Sequence, residues 1–554
     1  MFKVQTTLRK QLIYRLALCI LGLVSIVLLL TCVFLLVNRA SSSPPPPLSG
    51  SSSSPSGLSV SGLAAAMDST ALVGHLEALF AVAGRNGGNR AAGTGGYNES
   101  VAYVLGQLEG TGLEVRVQPF TIASTAALSE PFLALMPTNG GSTPIRVMGS
   151  SEFSVMTYAA NGVVDAGDVF VVPDPGFGCQ AGDYAGAGGM SSPWVALVRR
   201  GDCDFHTKAE LAAAAGAAAA VVYNQGNEPT RMGVFGGTLG GPVGIPVLGI
   251  SNMAGEMIAV GAAAGNVALS VRVDMEEVIL YTSNIIAETP WGDPDSVVMV
   301  GSHLDSVPAG PGINDNGSGT SVNIELAKAV AAGAPGLSRT GSKIRFGWWG
   351  GEELGLRGSE AYVASLTPRE VAQMTAYLNF DMTGSPNFFR GIYDASTAAN
   401  VDVGRPSGII QALFEDFFTA HDLPYHLSPF TGRSDYGPFI DPAVLIPSGG
   451  GDTGADEVKT EELRAKFGGI ANAQCDTCYH QACDTVDNVN VPVMTQMGQA
   501  AAHVLSTLAS ESPSTLRSRL ERPDTIPSSP PPSSTRRVEY SGPRWVHGRL
   551  RSTQ

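Results

Sequence analysis

Residues 295–332 read DSVVMVGSHLDSVPAGPGINDNGSGTSVNIELAKAVAA, and the order of their patterns decides the fold. DSVVMVGSH (295–303) is a short, nearly continuous apolar run, which predicts a strand buried on both faces. The Gly-, Pro- and Asn-rich stretch after it is a loop, and Thr320 to Ala332 is Ala-rich and predicts a helix. The same alternation recurs on either side. SNIIAETP (283–290), KIRFGWW (343–349) and YLNFDM (377–382) read as strands, and LEVRVQPF (113–120) alternates like one. Residues 70–86, 97–112 and 408–421 have helical spacing. Strands alternating with helices imply an α/β fold, a mostly parallel sheet with helices on both faces. The stretch 130–275 breaks this rhythm: it is rich in Gly, Ala and Val with short strand-like runs, and reads as a second, β-rich domain inserted into the first.

In open α/β sheets, ligands collect beyond the carboxyl ends of the strands. Seven chemically capable residues fall at such ends or in the adjoining loops. His303 and Asp305 close one strand in GSHLDSV, and Glu352 and Glu353 follow the next in WWGGEELG. Asp381 ends a third in NFDM, Asp315 lies in the loop GINDNGSG, and His480 in CYHQAC. Hydrolytic zinc needs imidazole and carboxylate ligands, an open position and a nearby base, and two zincs about 3.5–4 Å apart need a bridging carboxylate. The set supplies all of these. Adjacent residues of an extended chain point to opposite faces, so Glu352 and Glu353 divide the work, one ligating and one facing the water. Taken singly, each has a plainer reading as a loop cap or helix-start pair, and His421 and His426 stay in that class. Jointly they predict a metal-dependent hydrolase.

The ends of the chain set its compartment. Leu16 to Val37 is a 22-residue run without a charge, long enough to span roughly 30 Å of hydrocarbon. Lys3, Arg9, Lys10 and Arg15 precede it and only Arg39 follows closely, so 1–15 is cytoplasmic, 16–37 a transmembrane signal anchor, and the rest lumenal or extracellular. The alternative is a signal peptide cut near Ala40 and Ser41, leaving a secreted or vacuolar protein, although such apolar regions run only about 7–15 residues. Residues 38–61 form a Ser/Pro-rich linker and 512–554 a disordered Pro/Ser/Arg-rich tail. A net charge of −15 argues against nucleic acid as partner. Beyond the anchor lie Cys179, Cys203, Cys475, Cys478 and Cys483. In an oxidising compartment the last three favour a local disulfide over a structural zinc site, which would need a second Cys pair.

At these residues the sequence resembles the co-catalytic dizinc aminopeptidases, the family of aminopeptidase Y and the secreted bacterial leucine aminopeptidases. The resemblance spans about 65–125 and 280–508 and rests on GGNRAAGTGGYNESVAYV, GSHLDSVPAGPGINDNGSG, GEELGLRGS, LNFDM, TGRSDYGPF and CYHQACDTVDNVN, in that order. It implies a zinc-exopeptidase fold over 62–129 and 276–511, with two zinc ions per chain and peptides with a free N-terminus as substrates. By the same resemblance His303 and Asp381 bind one zinc, Glu353 and His480 the other, and Asp315 bridges them. Glu352 is the general base, Asp305 orients a ligand, Tyr479 helps to stabilise the oxyanion, and Arg433 contacts substrate. Cys478 pairs with Cys483, leaving Cys475 free. VALVRRGDCDFHTKAELAAAAGAAAAVVYNQ (195–225) resembles the core of a protease-associated (PA) domain, implying an insert over 130–275 within which Cys179 and Cys203 pair and which offers a surface for a protein partner. A glutamate-releasing carboxypeptidase of a related family and a catalytically inactive, receptor-like homologue are the rivals. TGRSD and CYHQAC match the aminopeptidases better than the first, and the complete ligand set disfavours the second. The donors would also accept cobalt or manganese. Asn98 lies in a glycosylation sequon; Asn316 does too, but a glycan there would block the site, so it is expected to be unmodified.

Overall fold

The computed structural model describes residues 62–172, 177–190, 193–227, 231–333 and 339–521. The expected anchor at 16–37 and the linker at 38–61 lie outside them, and among the described residues no helix is long and apolar enough to cross a membrane. The catalytic body is built on six strands: β1 (Glu114–Ala127), β2 (Met275–Glu288), β3 (Asp293–His303), β4 (Ser342–Trp349), β5 (Met374–Phe380) and β6 (Ser448–Gly451). Their order across the sheet is β1-β2-β4-β3-β5-β6. β3 runs parallel to β4 and β5, and β5 to β6, while β1–β2 and β2–β4 are antiparallel. The sheet is thus mixed and mostly parallel, as the alternation predicts.

The continuous apolar character of β3 has a simple cause. Val298 and Val300 point into one core and Val297 and Met299 into another, on opposite faces of the sheet. The first core is closed by α1 (Ser69–Arg85), α2 (Gly95–Leu108), α3 (Gly319–Ala331), α4 (Val401–Ala420) and α5 (Val491–Ser510). On α1, Leu72, Leu76 and Leu79 form the buried stripe that a 3.6-residue period requires, and Asp68 caps its start by accepting from the Thr70 amide at 3.1 Å. The second core stacks Trp349, Tyr362, Tyr377 and Phe439, with the Tyr377 and Phe439 rings parallel at 3.7 Å. α4 begins at Val401 rather than at 408, because Asn400 caps it from Asp402 N at 2.8 Å and the helix runs on through Pro406.

A second, eight-stranded sheet is formed wholly from residues between Phe132 and Val273. Its centre is parallel (Gly162–Val171, Trp194–Arg199, Ala219–Tyr223, Val247–Ile250) and its margins antiparallel. Helices Phe205–Ala214 and Asn252–Ala263 accompany it. Cys179 and Cys203 are disulfide-bonded here.

One expectation is corrected. The segment read as tail from residue 512 starts with a helix, Pro513–Arg519, capped by Ser512 and docked on the body. Leu516 and Leu520 are completely buried, and Arg517 Nη1 donates to Asp295 O at 2.7 Å and Ala372 O at 2.9 Å. Composition averaged over 512–554 hid this. A Ser cap, Pro at the first helical position and two Leu four residues apart are a helix start with an apolar stripe. Leu516→Ala should therefore cost about 2–5 kcal/mol, read as a lower urea midpoint of the full chain; an unchanged midpoint would return the segment to a solvated tail.

Candidate active site

The parallel register brings the donors together. Gly301 on β3 lies opposite Asn379 on β5, so two residues further along each strand His303 meets Asp381, with Nε2 3.3 Å from Oδ1. On the other side β4 ends opposite His303 at Trp349, and the tight turn that follows carries Glu352 and Glu353. Asp315 arrives from an irregular segment before α3. Its two oxygens face opposite ways: Oδ1 is 3.2 Å from His303 Nε2 and Oδ2 3.2 Å from His480 Nε2. His480 Nε2 also lies 3.0 Å from Glu353 Oε2. The outcome is two three-donor groups, His303–Asp315–Asp381 and Asp315–Glu353–His480, each with donor atoms within 4.8 Å of one another and sharing Asp315. Glu352 Oε2 stands 4.0 Å from His303 Nε2, beside the first group.

Neighbouring groups fix these side chains. Asp305 is fully buried and accepts from the amides of Glu352 at 3.1 Å and Glu353 at 3.4 Å, while its Oδ1 lies 3.7 Å from His303 Nδ1. Ser434 donates to Asp381 Oδ2 at 2.6 Å and is itself held by Asn379. Asp484 accepts from the amides of Asn314 and Asp315 at 2.8 and 3.1 Å. Asn316 is completely buried, its side chain bonded to Phe380 O, Gly319 N and Met382 N, so it offers nothing to a glycan-transferring enzyme; Asn98 is exposed on α2.

Arg90 is the member that spacing did not reveal. Fully buried, it donates to Leu304 O, to Pro311 O at 2.9 Å and to Gly312 O at 2.6 Å, tying the loop after His303 to the loop before Asp315. Burial lowers its pKa to about 10, against the pull of Asp305, Asp484, Asp315 and Glu353. Only the quoted GGNR motif pointed towards it, since its partners lie more than two hundred residues away in sequence. Ser434, Asp435 and Asp484 likewise had no spacing signal, although their motifs were noticed.

The electrostatics are those of a buried anionic cluster. Burial raises the Glu352 carboxyl well above its usual range, with Glu353 and Asp381 adding to the rise. Burial lifts Glu353 to about 7 and Asp435 to about 8. Burial alone would lower His303 and His480, yet the carboxylates, Asp381 and Glu353 foremost, hold both well above the ordinary imidazole value. Asp315 is pulled low despite its burial by the hydrogen bonds of the two histidines. One oxygen of Glu353, Oε1, is buried with no hydrogen-bond partner, as is Asp435 Oδ2. Buried anions without compensation cost several kcal/mol each, so five carboxylates around two imidazoles form a cage whose chemistry suits divalent cations.

Tyr479 stacks on His480 with ring centroids 3.8 Å apart, and burial, helped by Asp315 and Glu353, keeps its phenol protonated. Against the effect of burial, Tyr479 and Asp456 raise the pKa of the Arg433 guanidinium. Cys478 and Cys483 are disulfide-bonded around His480, and Cys475 is a buried free thiol. His421 and His426 take no part: one bonds Phe417 O at 2.7 Å, the other packs on Phe389.

Comparison with known proteins gives the same picture. Residues 284–505 match the model of Peptidase family M28 and residues 166–258 that of the PA domain. An aminopeptidase of Pseudomonas aeruginosa (strain UCBPP-PA14) is 39% identical over 463 residues, covering 81% of this chain and 82% of that protein. Leucine aminopeptidase 2 of Arthroderma otae is 40% identical over 407 residues, 73% of this chain and 76% of its own length. Among solved structures, an aminopeptidase from Aneurinibacillus sp. strain AM-1 superposes with a TM-score of 0.61 at 26% identity, over 81% of this chain and 96% of that one.

Because Arg90 satisfies three buried carbonyls at once, Arg90→Met should lower unfolding stability by about 3 kcal/mol or more, measured by urea denaturation of the full chain. A loss below about 1 kcal/mol would mean that water reaches those carbonyls in its place.

Proposed function

The chain belongs to Peptidase family M28, and from that premise we propose how its site works as a metallo-aminopeptidase with two zinc ions. The carrying observation is the pair of three-donor groups that share Asp315. His303 and Asp381 would hold one zinc, Glu353 and His480 the other, and Asp315 both. Zinc bound there would supply Lewis acidity, lowering the pKa of water from ~15.7 towards about 7 and polarising the scissile carbonyl.

The chain's own residues do the rest. Glu352 lies beside the first group and is not itself in either one, so its carboxylate is free to take the proton of the attacking water and pass it to the leaving amine. The protonated phenol of Tyr479 donates a hydrogen bond to the oxyanion that develops on the carbonyl. Asp305 orients: it holds the Glu352 and Glu353 amides and stands beside His303. The surplus of carboxylates favours a substrate that presents a free α-ammonium group, which restricts cleavage to the N-terminal residue, and Arg433 meets the substrate further along. The disulfides fit an extracellular protein. The 16–37 run would anchor it as a single-pass type II membrane protein with this site outside. All five ligand positions and the base carry competent side chains, which speaks against an inactive receptor-like homologue.

The test is hydrolysis of leucine-, lysine- and glutamate-p-nitroanilide, before and after chelation and after zinc return. Activity should vanish with chelator and recover with zinc. Glu352→Gln should lose about 10²–10⁴-fold in kcat while still binding two zinc ions. Zinc-loaded, folded protein that releases no p-nitroaniline from any of them would sink this reading and favour C-terminally free peptides.

A further inference from the structure

Among the described residues, side-chain contacts join the insert to two loops of the catalytic body, the one that carries Glu353 and the one packed on the turn that carries His480. At the first, Tyr158 donates to Leu354 O at 3.1 Å, and Arg357 donates to Gly240 O and lies over the Tyr158 ring at 5.3 Å. Leu354 directly follows Glu353. Leu356, in the same turn, sits at φ 62°, a conformation a leucine keeps only where its surroundings enforce it. At the second, Arg200 Nη2 lies 2.7 Å and Arg231 Nη2 3.3 Å from Asp456 Oδ2, and Arg231 also donates to Asp456 O at 3.0 Å. Arg200 is steadied over the Phe235 ring at 4.9 Å.

Asp456 belongs to the loop after β6, whose Ala455 and Glu457 carbonyls accept from Asp476 N and Cys475 N, both at 2.8 Å. Asp476 in turn accepts from Cys478 N at 2.8 Å, at the start of the turn that presents Tyr479 and His480. His480 itself has φ 58° and a side chain 37% exposed, far more than the 1% of His303. The ligands of the other group need no such help. His303 and Asp381 sit at strand ends and are secured from within the body by Arg90, Asp305 and Ser434.

We propose that the insert is a positioning device for one of the two metal groups: Tyr158, Arg200 and Arg231 hold the two loops that present Glu353 and His480. The insert is then part of the metal centre's scaffold and sets the affinity of one zinc without touching it. This rests on the two-zinc reading above.

The experiment is a zinc titration of the metal-free full chain against a chromophoric chelator, which yields both dissociation constants. Wild type binding fewer than two zinc ions would defeat the two-zinc reading itself. With two bound, Asp456→Asn and Tyr158→Phe should each weaken one constant about 10–100-fold, as removal of an outer support does, and leave the other within twofold. The constant affected should be the one abolished in His480→Ala. Tyr158→Phe removes a single hydroxyl and so remains informative if Asp456→Asn does not fold. Unchanged constants in a folded variant, or equal weakening of both, would overturn the proposal.

Discussion

Everything in the site depends on one carboxylate serving two sides at once. Asp315 directs Oδ1 to His303 and Oδ2 to His480, and no regular helix or strand presents a side chain to partners from two different loops in that way. The backbone around it leaves helical geometry, with Asp315 at φ −108° and ψ 92°. Asp484 takes up its amide, Asn316 bonds to the end of β5 and the start of α3, and Arg90 holds the carbonyls just upstream. A glycine at the start of α3 fits the same constraint: a Cβ at Gly319 would stand 2.3 Å from Phe380 O, so the helix carrying this loop packs on β5 closer than any side chain allows.

The two donor groups are therefore unequal in construction. His303 and Asp381 are the products of strand register, and their separation is set by hydrogen bonds along buried β3 and β5. Glu353 and His480 come from loops, and loops hold geometry only through the polar contacts made on them. Asp305 links the two halves, since it braces the Glu352–Glu353 backbone while standing beside His303. An acidic cluster of this density would repel itself apart in a softer frame; here the sheet and Arg90 supply the rigidity.

How much of this was legible in the sequence follows the same division. β3, β4 and β5 announced themselves by apolar runs, and the donors at their ends could be read because strand ends are where such sheets place ligands. Glu352 and Glu353 were expected to face opposite ways as neighbours in an extended chain; they lie instead in a turn, and only Glu353 falls within a donor group. Arg90 was invisible to spacing because an isolated Arg in a Gly-rich loop looks solvent-exposed until its three carbonyl partners are brought from the far side of the chain. The docked helix at 513–519 was hidden because Pro, Ser and Arg dominate the composition around two informative leucines. The contacts of Arg200 and Arg231 with Asp456 had no local signature, since a salt bridge between distant segments leaves none.

The path of the chain explains why the insert needs those contacts. It leaves on β1 and returns on β2, which pair continuously from Glu114–Glu288 out to Ala127–Met275. Yet β2 is bonded to β4 only over Ile285–Glu288, so most of the ribbon runs on beyond the sheet. Phe120, Ile122 and Leu280 on it pack against Leu354, placing the ribbon over the turn that bears Glu353. A two-stranded ribbon is a weak lever by itself, and the insert at its far end would swing freely without further anchorage. The Tyr158 and Asp456 contacts supply that anchorage at the active-site side, and the same bonds that stop the insert from moving hold the loops they land on.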